Sequence, residues 1–290
     1  MRRAAARSPR SCARPPRRRS ARRPGAPSPT PTARSTLGAS GPQVVEGWYC
    51  APYPRPLERT REYVEIMRRV WARNAPVESS GRHYQLPYGG ADGTGLGKAL
   101  RSTVHPVRTD IPVYLGAEGP KNVALAAEIA DGWLPLWFSP KSDAFYRSAL
   151  AEGFDVPGAR HTAETFEVAG VVFMAEDEDV ELAASRIKPI IGLYAGAWAP
   201  RARTSTTTCS CGWAEVCQEL QERYLAWRKQ EAIDAIPLEM VEDVALVGPA
   251  DKVVDDFKNR WAPTCLTTLI VSGSQKQTTL ARLVEEASRC

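Results

Sequence analysis

The chain has 290 residues, 43% of them hydrophobic, which is enough for one large domain or two modest ones with a buried core. No apolar run is long enough to span a bilayer, and no apolar segment follows the basic N-terminus, so we expect neither a membrane-spanning protein nor a signal peptide. The formal net charge of +5 is unevenly distributed, because residues 1–36 contain 11 Arg and no acid or Lys; residues 37–290 are therefore mildly acidic, at −6.

Residues 1–36 have a composition unlike that of the rest of the chain. They contain no Leu, Ile, Val, Phe, Tyr or Trp, so they cannot bury apolar surface, and we expect a disordered tail. Arg, Pro, Ala, Ser and Thr fill 33 of the 36 positions, a mixture that GC-rich DNA yields when it is translated out of frame. The alternatives are a transit peptide or a genuine arginine arm that binds nucleic acid or an acidic membrane.

From Leu37 onward the pattern is that of a folded domain. The stretch "LGASGPQVVEGW" predicts a strand end and a loop, and "LERTREYVEIMRRVWAR" predicts a helix with Tyr63, Met67, Val70 and Trp71 on its apolar face. A long, polar, glycine-rich loop follows. Apolar strands then alternate with helices: strands "IPVYLGA", "DGWLPLWFS", "TFEVAGVVFMA" and "CLTTLIVSG", and helices "NVALAAEIA", "DAFYRSALAEGF", "DVELAASRIKPIIGLYAG", 214–230 and 250–260.

This alternation predicts the fold class. The strands are apolar on both faces, as strands are when helices cover both sides of a parallel sheet. An α/β fold with crossover helices follows, and both a doubly wound sheet and a (β/α)8 barrel are compatible with the pattern. We expect the four apolar strands to lie in one sheet.

The stretch "GAEGPKN" predicts a helix that begins directly after a buried strand. The glycines let the backbone turn and approach a ligand closely, and Pro120 suits the first turn of a helix. The N–H groups of Lys121, Asn122 and Val123 are then expected to be unpaired at the positive end of the helix dipole. The stretch is compatible with a phosphate site and equally with an ordinary capped helix after a tight turn.

No metal site is expected. The seven Cys are odd in number and irregularly spaced, and none of the three His has a second ligand at metal spacing. His83 is interpreted as structural. Trp133 and Trp137 flank a strand end, where core packing is favoured over substrate stacking.

Several stretches together resemble the luciferase-like monooxygenase family, and in particular its branch that uses the deazaflavin coenzyme F420. The most specific is "GPKNVALAAEIADGWLP", within "IPVYLGAEGPKNVALAAEIADGWLPLWFSP". The others are "LGASGPQVVEGW", "REYVEIMRRVWARNAPVESSGRHYQLP", "GTGLGKAL" and "VEDVALVGPADKVVDDF". The resemblance covers most of residues 37–290.

The resemblance implies a (β/α)8 barrel whose cofactor lies at the carboxyl ends of the strands. The cofactor would be F420, or FMN as the alternative, with its phosphate at Gly119, Pro120, Lys121 and Asn122 and its ring beside Ser40, Gly41 and Pro42. Ala117 and Glu118 are also expected to contact the cofactor. The implied activity is hydride transfer between a small-molecule substrate and the deazaflavin, or monooxygenation with reduced FMN. No residue is identified as a catalytic acid or base.

The chain departs from the family pattern in two places. Family members begin with further strands and helices before the "LGxSGPQ" motif, so the resemblance implies a partial barrel that lacks its first strands and has exposed edges. Residues 197–211 fit no element, and a shift of one base allows "TSTTTCSC" to read "NFHYDLFV". We therefore expect an out-of-frame loop there, with no role for Cys209 and Cys211.

The domain organisation predicted from these patterns is a tail at 1–36 and a luciferase-like domain at 37–290. The protein is expected to be a cytoplasmic oxidoreductase that acts on a small molecule, with no membrane partner and no nucleic acid, and a homodimer is compatible with the family. The alternative is a non-enzymatic, degraded gene product, or a nucleic-acid binder that uses its arginine-rich tail.

Overall fold

A mostly parallel sheet organises the domain. The computed structural model describes residues 34–198 and 212–289, which belong to one compact unit, Ala33–Cys290. In this part of the chain, six strands form the main sheet and two form a short antiparallel hairpin. The main-sheet strands are β1 Ser35–Gly38, β4 Val113–Gly116, β5 Gly132–Leu134, β6 Glu167–Glu176, β7 Ala245–Gly248 and β8 Thr268–Ser274, and the hairpin strands are β2 Ser79–Ser80 and β3 Gln85–Leu86.

Helices connect these strands. A 3₁₀ turn, Pro140–Ser142, precedes α4, and two wider π-type turns lie at Leu193–Trp198 and Phe257–Trp261. The helices are α1 Pro42–Val45, α2 Pro56–Ala72, α3 Pro120–Ile129, α4 Asp143–Phe154, α5 Val180–Ser185, α6 Lys188–Gly192, α7 Ala214–Leu225, α8 Lys229–Asp234, α9 Leu238–Glu242, α10 Ala250–Asp256 and α11 Gln277–Ala287. None of the helices in the described residues is long and apolar enough to cross a membrane.

All strand pairs of the main sheet are parallel. The strand order is β1-β4-β5-β6-β7, and β8 pairs with β6. The four apolar strands predicted from the sequence therefore lie in one sheet, as expected. Within the described residues the strands do not close into a barrel, because β1 has a strand neighbour only in β4 and β8 only in β6. The fold is the partial barrel that the sequence predicts.

Two hydrophobic clusters pack against the sheet. The first contains Trp133, Val172 and Met174, which have no exposed surface, together with side chains of α3, α4 and the α10–α11 region. The second joins Ala245 and Val247 of β7 to helices α5 to α9. Helices thus bury apolar faces of the strands, which explains why the strand sequences are continuously hydrophobic.

Helix α2 packs with a slightly different face from the one predicted. Val64 is 2% exposed, whereas Tyr63 is 40% exposed. The apolar pattern therefore predicted the helix, but the buried stripe is centred on Thr60 and Val64, with Trp71 partly buried against the first cluster. The buried side of α2 is therefore centred on Val64, one residue after the predicted Tyr63.

Five predicted boundaries need correction, one of them in the helix predicted over 214–230, which is divided into α7 and α8. Strand β1 begins at Ser35, two residues inside the predicted tail, because Ser35 and Thr36 pair with β4. The strand "DGWLPLWFS" is shorter, ending at Leu134, and "LGASGPQVVEGW" includes the short helix α1 rather than only a loop. The long helix predicted over "DVELAASRIKPIIGLYAG" is divided into α5 and α6, since Pro189 lacks an N–H and is accepted only in the first turn of a helix.

Two predictions lie wholly or largely outside the described residues. The predicted disordered tail, residues 1–36, lies outside the described residues except for its last three positions, 34–36. The predicted out-of-frame loop, residues 197–211, lies outside the described residues except for its first two residues, which belong to the turn Leu193–Trp198. Cys217 of α7 is disulfide-bonded.

A buried carboxylate, Asp131, connects several elements at the amino ends of β4 and β5. Its side chain is 10% exposed. One oxygen accepts the Val113 N–H at 2.8 Å and an Arg68 N–H at 3.0 Å, and the other accepts from Arg160 at 2.6 Å and His161 at 2.9 Å. Burial alone would raise the pKa of Asp131, but these hydrogen bonds and charges lower it from 3.8 to about 2.

We expect Asp131→Asn to lower the free energy of unfolding at pH 7 by about 2–4 kcal/mol, because the Arg68 and Arg160 guanidiniums lose a buried counter-charge. The folded-state pKa of Asp131 lies below its ordinary value of 3.8. Its stabilisation is therefore complete above pH 3.8 and is lost as the pH falls through about 2. Urea unfolding of the native chain and of Asp131→Asn should be measured from pH 7 to pH 2. The difference in their free energies of unfolding should shrink only at the acidic end of this range.

The matched control is Asp110→Asn. Asp110 also pairs with Arg160, but its side chain is 81% exposed, so its loss should change stability by less than about 0.5 kcal/mol. Equal losses for the two variants would contradict the assigned role of Asp131.

Candidate functional site

The two predicted ligand-binding stretches lie on the same rim of the sheet. Strands β1 and β4 are neighbours and parallel, with Gly38 paired to Gly116. Ser40–Pro42 follows the carboxyl end of β1, and Gly119–Asn122 follows the carboxyl end of β4. The predicted juxtaposition of these stretches is therefore present, at the edge where parallel-sheet proteins bind ligands.

The turn after β1 is held in an unusual backbone conformation. Ser40 has a φ of 58°, which is uncommon for a residue other than glycine, and its carbonyl oxygen accepts the Tyr53 hydroxyl at 2.9 Å. The carbonyl of Gly41 accepts from the N–H groups of Val44 and Val45, so the short helix α1 begins at Pro42. The loop is thus fixed by contacts with residues that follow it in the chain.

The turn after β4 is open in front of helix α3. Gly119 has φ 78° and ψ 151°, a conformation that is nearly restricted to glycine, and a Cβ added there would contact no atom within 4 Å. Within the described part of the chain, the N–H groups of Gly119 and Lys121 donate no hydrogen bond, and the exposed Lys121 forms no salt bridge. These groups are available to an anion.

The set of available donors is smaller than the sequence suggested. The N–H groups of Asn122 and Val123 both donate to the carbonyl of Gly119, at 3.1 and 3.0 Å. The prediction that they are unpaired is wrong, because the first turn of α3 closes on the Gly119 carbonyl. The Gly119 and Lys121 N–H groups and the Lys121 side chain remain.

Ala117 and Glu118 stabilise the loop. Ala117 is 3% exposed, and its carbonyl accepts the Trp133 indole N–H at 2.9 Å. A carboxylate oxygen of Glu118 accepts the N–H of Leu136 at 2.9 Å. These bonds connect the loop after β4 to β5 and to the loop after β5, so both residues hold the rim together.

The tryptophans beside β5 are core residues, as the sequence predicted. Trp133 is fully buried and Trp137 is 4% exposed. Trp137 stacks on Phe173 of β6 at 4.8 Å between ring centroids and meets the edge of Tyr194 at 5.6 Å. Stacking of these rings attaches the loop after β5 to the carboxyl half of β6.

The structural interpretation of His83 is also confirmed. Its side chain is 8% exposed, its N–H donates to Glu62, and its ring lies 3.3 Å from the Glu58 carboxylate. In the part of the chain that the structure describes, no group of three or more His, Cys, Asp and Glu side chains is arranged to bind a metal ion.

Sequence reasoning missed a cleft at the carboxyl end of β1. Its volume is about 170 Å³, and Tyr53, Arg59, Tyr63 and Tyr84 line it together with Leu37. These residues come from β1, α2 and the loops around them. Nothing in their spacing along the chain indicated that they converge.

Comparison with known proteins identifies the family of this chain. The model of the family described as luciferase-like monooxygenase matches residues 33–266. A Mycobacterium tuberculosis protein, named provisionally as a coenzyme F420-dependent oxidoreductase, is 46% identical over 244 residues, covering 83% of this chain and 70% of the relative.

Solved structures share the fold. The coenzyme F420-dependent tetrahydromethanopterin reductase of Methanopyrus kandleri superposes with a TM-score of 0.64 at 22% identity, covering 88% of this chain and 72% of that chain. The oxygenating constituent of 3,6-diketocamphane monooxygenase from Pseudomonas putida was solved with FMN. It superposes with a TM-score of 0.52 at 14% identity, covering 88% of this chain and 70% of that chain. With the family match over most of its length, this chain belongs to the luciferase-like monooxygenase family.

Proposed function

We propose that this chain binds coenzyme F420 at the carboxyl rim of β1 and β4 and is an oxidoreductase that acts on a small molecule. FMN is the alternative cofactor. The observation that carries the proposal is the open start of α3, where Gly119 and Lys121 present unpaired N–H groups and a cationic side chain. The 46% identical relative with an F420-dependent name supports the choice of F420 over FMN.

The residues at the rim fit the phosphate of such a cofactor. The N–H groups of Gly119 and Lys121 would donate to phosphate oxygens, and the Lys121 ammonium and the dipole of the ten-residue helix α3 would supply positive potential. A side chain at position 119 would enter the space that the phosphate needs, which gives the glycine a role beyond its backbone conformation. Ser40, Gly41 and Pro42 would lie beside the ring.

When bound, the cofactor supplies the redox chemistry, either hydride transfer by the deazaflavin or oxygen activation by reduced FMN. The residues of this chain bind and orient it. The hydrogen bond from Leu136 N–H to Glu118 and that from the Trp133 indole to Ala117 keep the phosphate loop in place. We assign no catalytic acid or base.

The partial barrel motivates the alternative function. The described strands leave β1 and β8 without a second neighbour, and the chain covers 70% of its mycobacterial relative. A non-enzymatic product would bind neither cofactor, whereas a nucleic-acid binder would use the 11 Arg of residues 1–36. Nucleic-acid binding would weaken steeply with salt and require residues 1–36. A homodimer and a cytoplasmic location remain predictions.

We expect the full chain to bind F420 with a change in cofactor fluorescence, and more tightly than it binds FMN. Lys121→Ala should weaken F420 binding about three- to tenfold, because it removes one charge from the phosphate site. Gly119→Val should weaken it more, since the new side chain occupies the space in front of α3. Fluorescence titration at fixed ionic strength measures both effects.

Lys98→Ala is the control for the Lys121 variant, because Lys98 is exposed in the loop before β4 and lies outside the proposed site. Unchanged F420 affinity in both Lys121→Ala and Gly119→Val would disprove the phosphate site. If the native chain binds neither F420 nor FMN, the non-enzymatic alternative is favoured.

The backbone at Gly119 also has a consequence for stability. Gly119→Ala should lower the free energy of unfolding by about 1–3 kcal/mol, because alanine is strained at φ 78° and ψ 151°. Gly89→Ala is the control: a Cβ there also contacts no atom within 4 Å, but its φ lies outside the positive range. Chemical denaturation should show a change below about 0.5 kcal/mol for Gly89→Ala; equal effects would contradict the assigned backbone strain.

A further inference from the structure

The cleft at the carboxyl end of β1 contains a cation, Arg59, that has no carboxylate partner among residues 34–198 and 212–289. We call it the tyrosine cleft, and define it by Tyr53, Arg59, Tyr63, Tyr84, Leu37 and Val45. Three phenol rings and two aliphatic side chains form its walls. It begins at β1, so it adjoins the turn at Ser40, whose carbonyl accepts the Tyr53 hydroxyl.

Arg59 is poorly paired for a partly buried guanidinium. Its Nε is buried without a hydrogen-bond partner, and its Nη1 lies 3.4 Å from the carbonyl oxygen of Pro52, a long hydrogen bond. Among the described residues, no carboxylate forms a salt bridge with it. The described residues thus give this guanidinium no counter-charge, and an anion in the cleft would supply one.

The neighbouring acids are engaged elsewhere. Both carboxylate oxygens of Glu62 accept backbone N–H groups of Arg82, His83 and Tyr84. Glu58 pairs with Arg55 and His83. Neither acid neutralises Arg59.

The hydroxyls of Tyr53 and Tyr84 lie close enough to the Arg59 guanidinium for its charge to affect their pKa values. Burial raises the pKa of Tyr53 and of Tyr84, and Arg59 partly opposes the rise in each case. Both phenols remain protonated at neutral pH; Tyr53 donates its proton to the Ser40 carbonyl, which leaves the Tyr84 hydroxyl to donate a hydrogen bond to an anion held by Arg59.

We propose that the tyrosine cleft binds a small organic carboxylate with an apolar or aromatic body. The carboxylate would pair with the terminal nitrogens of the planar Arg59 guanidinium, since Nε itself is buried. The body would lie among the tyrosine rings, Leu37 and Val45. The volume of about 170 Å³ suits a single ring, since a dry cavity of about 150 Å³ binds benzene. The site does not depend on the proposed cofactor.

Benzoate is the probe, with benzyl alcohol as its uncharged counterpart and inorganic phosphate as an anion without an apolar body. NMR titration of the full chain without cofactor should show saturable benzoate binding that perturbs the cleft residues. Benzyl alcohol and phosphate should each bind about tenfold more weakly or worse. Stronger binding of phosphate would overturn the assignment of an organic carboxylate.

Arg59→Gln removes the charge and should weaken benzoate binding about tenfold or more, while benzyl alcohol binding stays within about twofold. Arg55→Gln, one turn earlier on the exposed side, is the matched control and should retain benzoate binding. Arg59→Lys keeps the charge without the fork and should show an intermediate affinity.

Thermal unfolding gives an independent measurement. Without ligand, Arg59→Gln should unfold at the same temperature as the native chain or higher, because it removes an uncompensated charge. Benzoate should raise the Tm of the native chain and not that of Arg59→Gln. A lower Tm of the unliganded variant would show that the guanidinium has a structural partner, and equal benzoate affinity of the two proteins would also overturn the proposal.

Discussion

The ionic cluster around Asp131 is the constraint on which the rim geometry depends. One carboxylate accepts the first N–H of β4, side chains from α2 and side chains from the segment before β6. Helix α2 is therefore held against the amino ends of the strands, although its apolar stripe is narrow and only Thr60 and Val64 of it are buried. Because the amino ends are fixed, the register of β1, β4 and β5 determines what lies at their carboxyl ends. The geometry of the carboxyl rim thus depends in part on electrostatics at the amino ends of the strands.

At the carboxyl rim, hydrogen bonds between loops add to the packing of Trp133 and Trp137. Trp133 donates to Ala117, Leu136 donates to Glu118 and Tyr53 donates to Ser40. Each bond joins a loop that follows a strand to a residue from a later part of the chain. The loops are consequently held in strained conformations, with positive φ at Ser40, Gly119 and Trp137.

The sequence predicted the parts of this arrangement that depend on local pattern. Apolar runs predicted the parallel sheet, and the order of glycine and Pro120 predicted the start of α3. Asn122 was misjudged, because whether its N–H is paired depends on how the first turn closes on Gly119, and the residue types do not determine this. The tyrosine cleft could not be predicted, since Tyr53, Arg59 and Tyr84 meet only after α2 folds back along β1. The division at Pro189 was visible in the sequence, but the apolar pattern on both sides outweighed it.

The electrostatics of the rim oppose those of the domain as a whole. Residues 37–290 carry a formal charge of −6, yet Lys121 and Arg59 both lie near the carboxyl ends of β1 and β4 without a carboxylate partner among the described residues. Many other basic side chains of the domain, such as Arg68, Arg160 and Lys252, are paired with acids. Two cations that lack an acid partner among the described residues, on one rim of this acidic domain, would attract anions to that rim. Since each cation faces a different kind of space, an open turn at Lys121 and a tyrosine-lined cleft at Arg59, the two proposed sites would select anions of different shape.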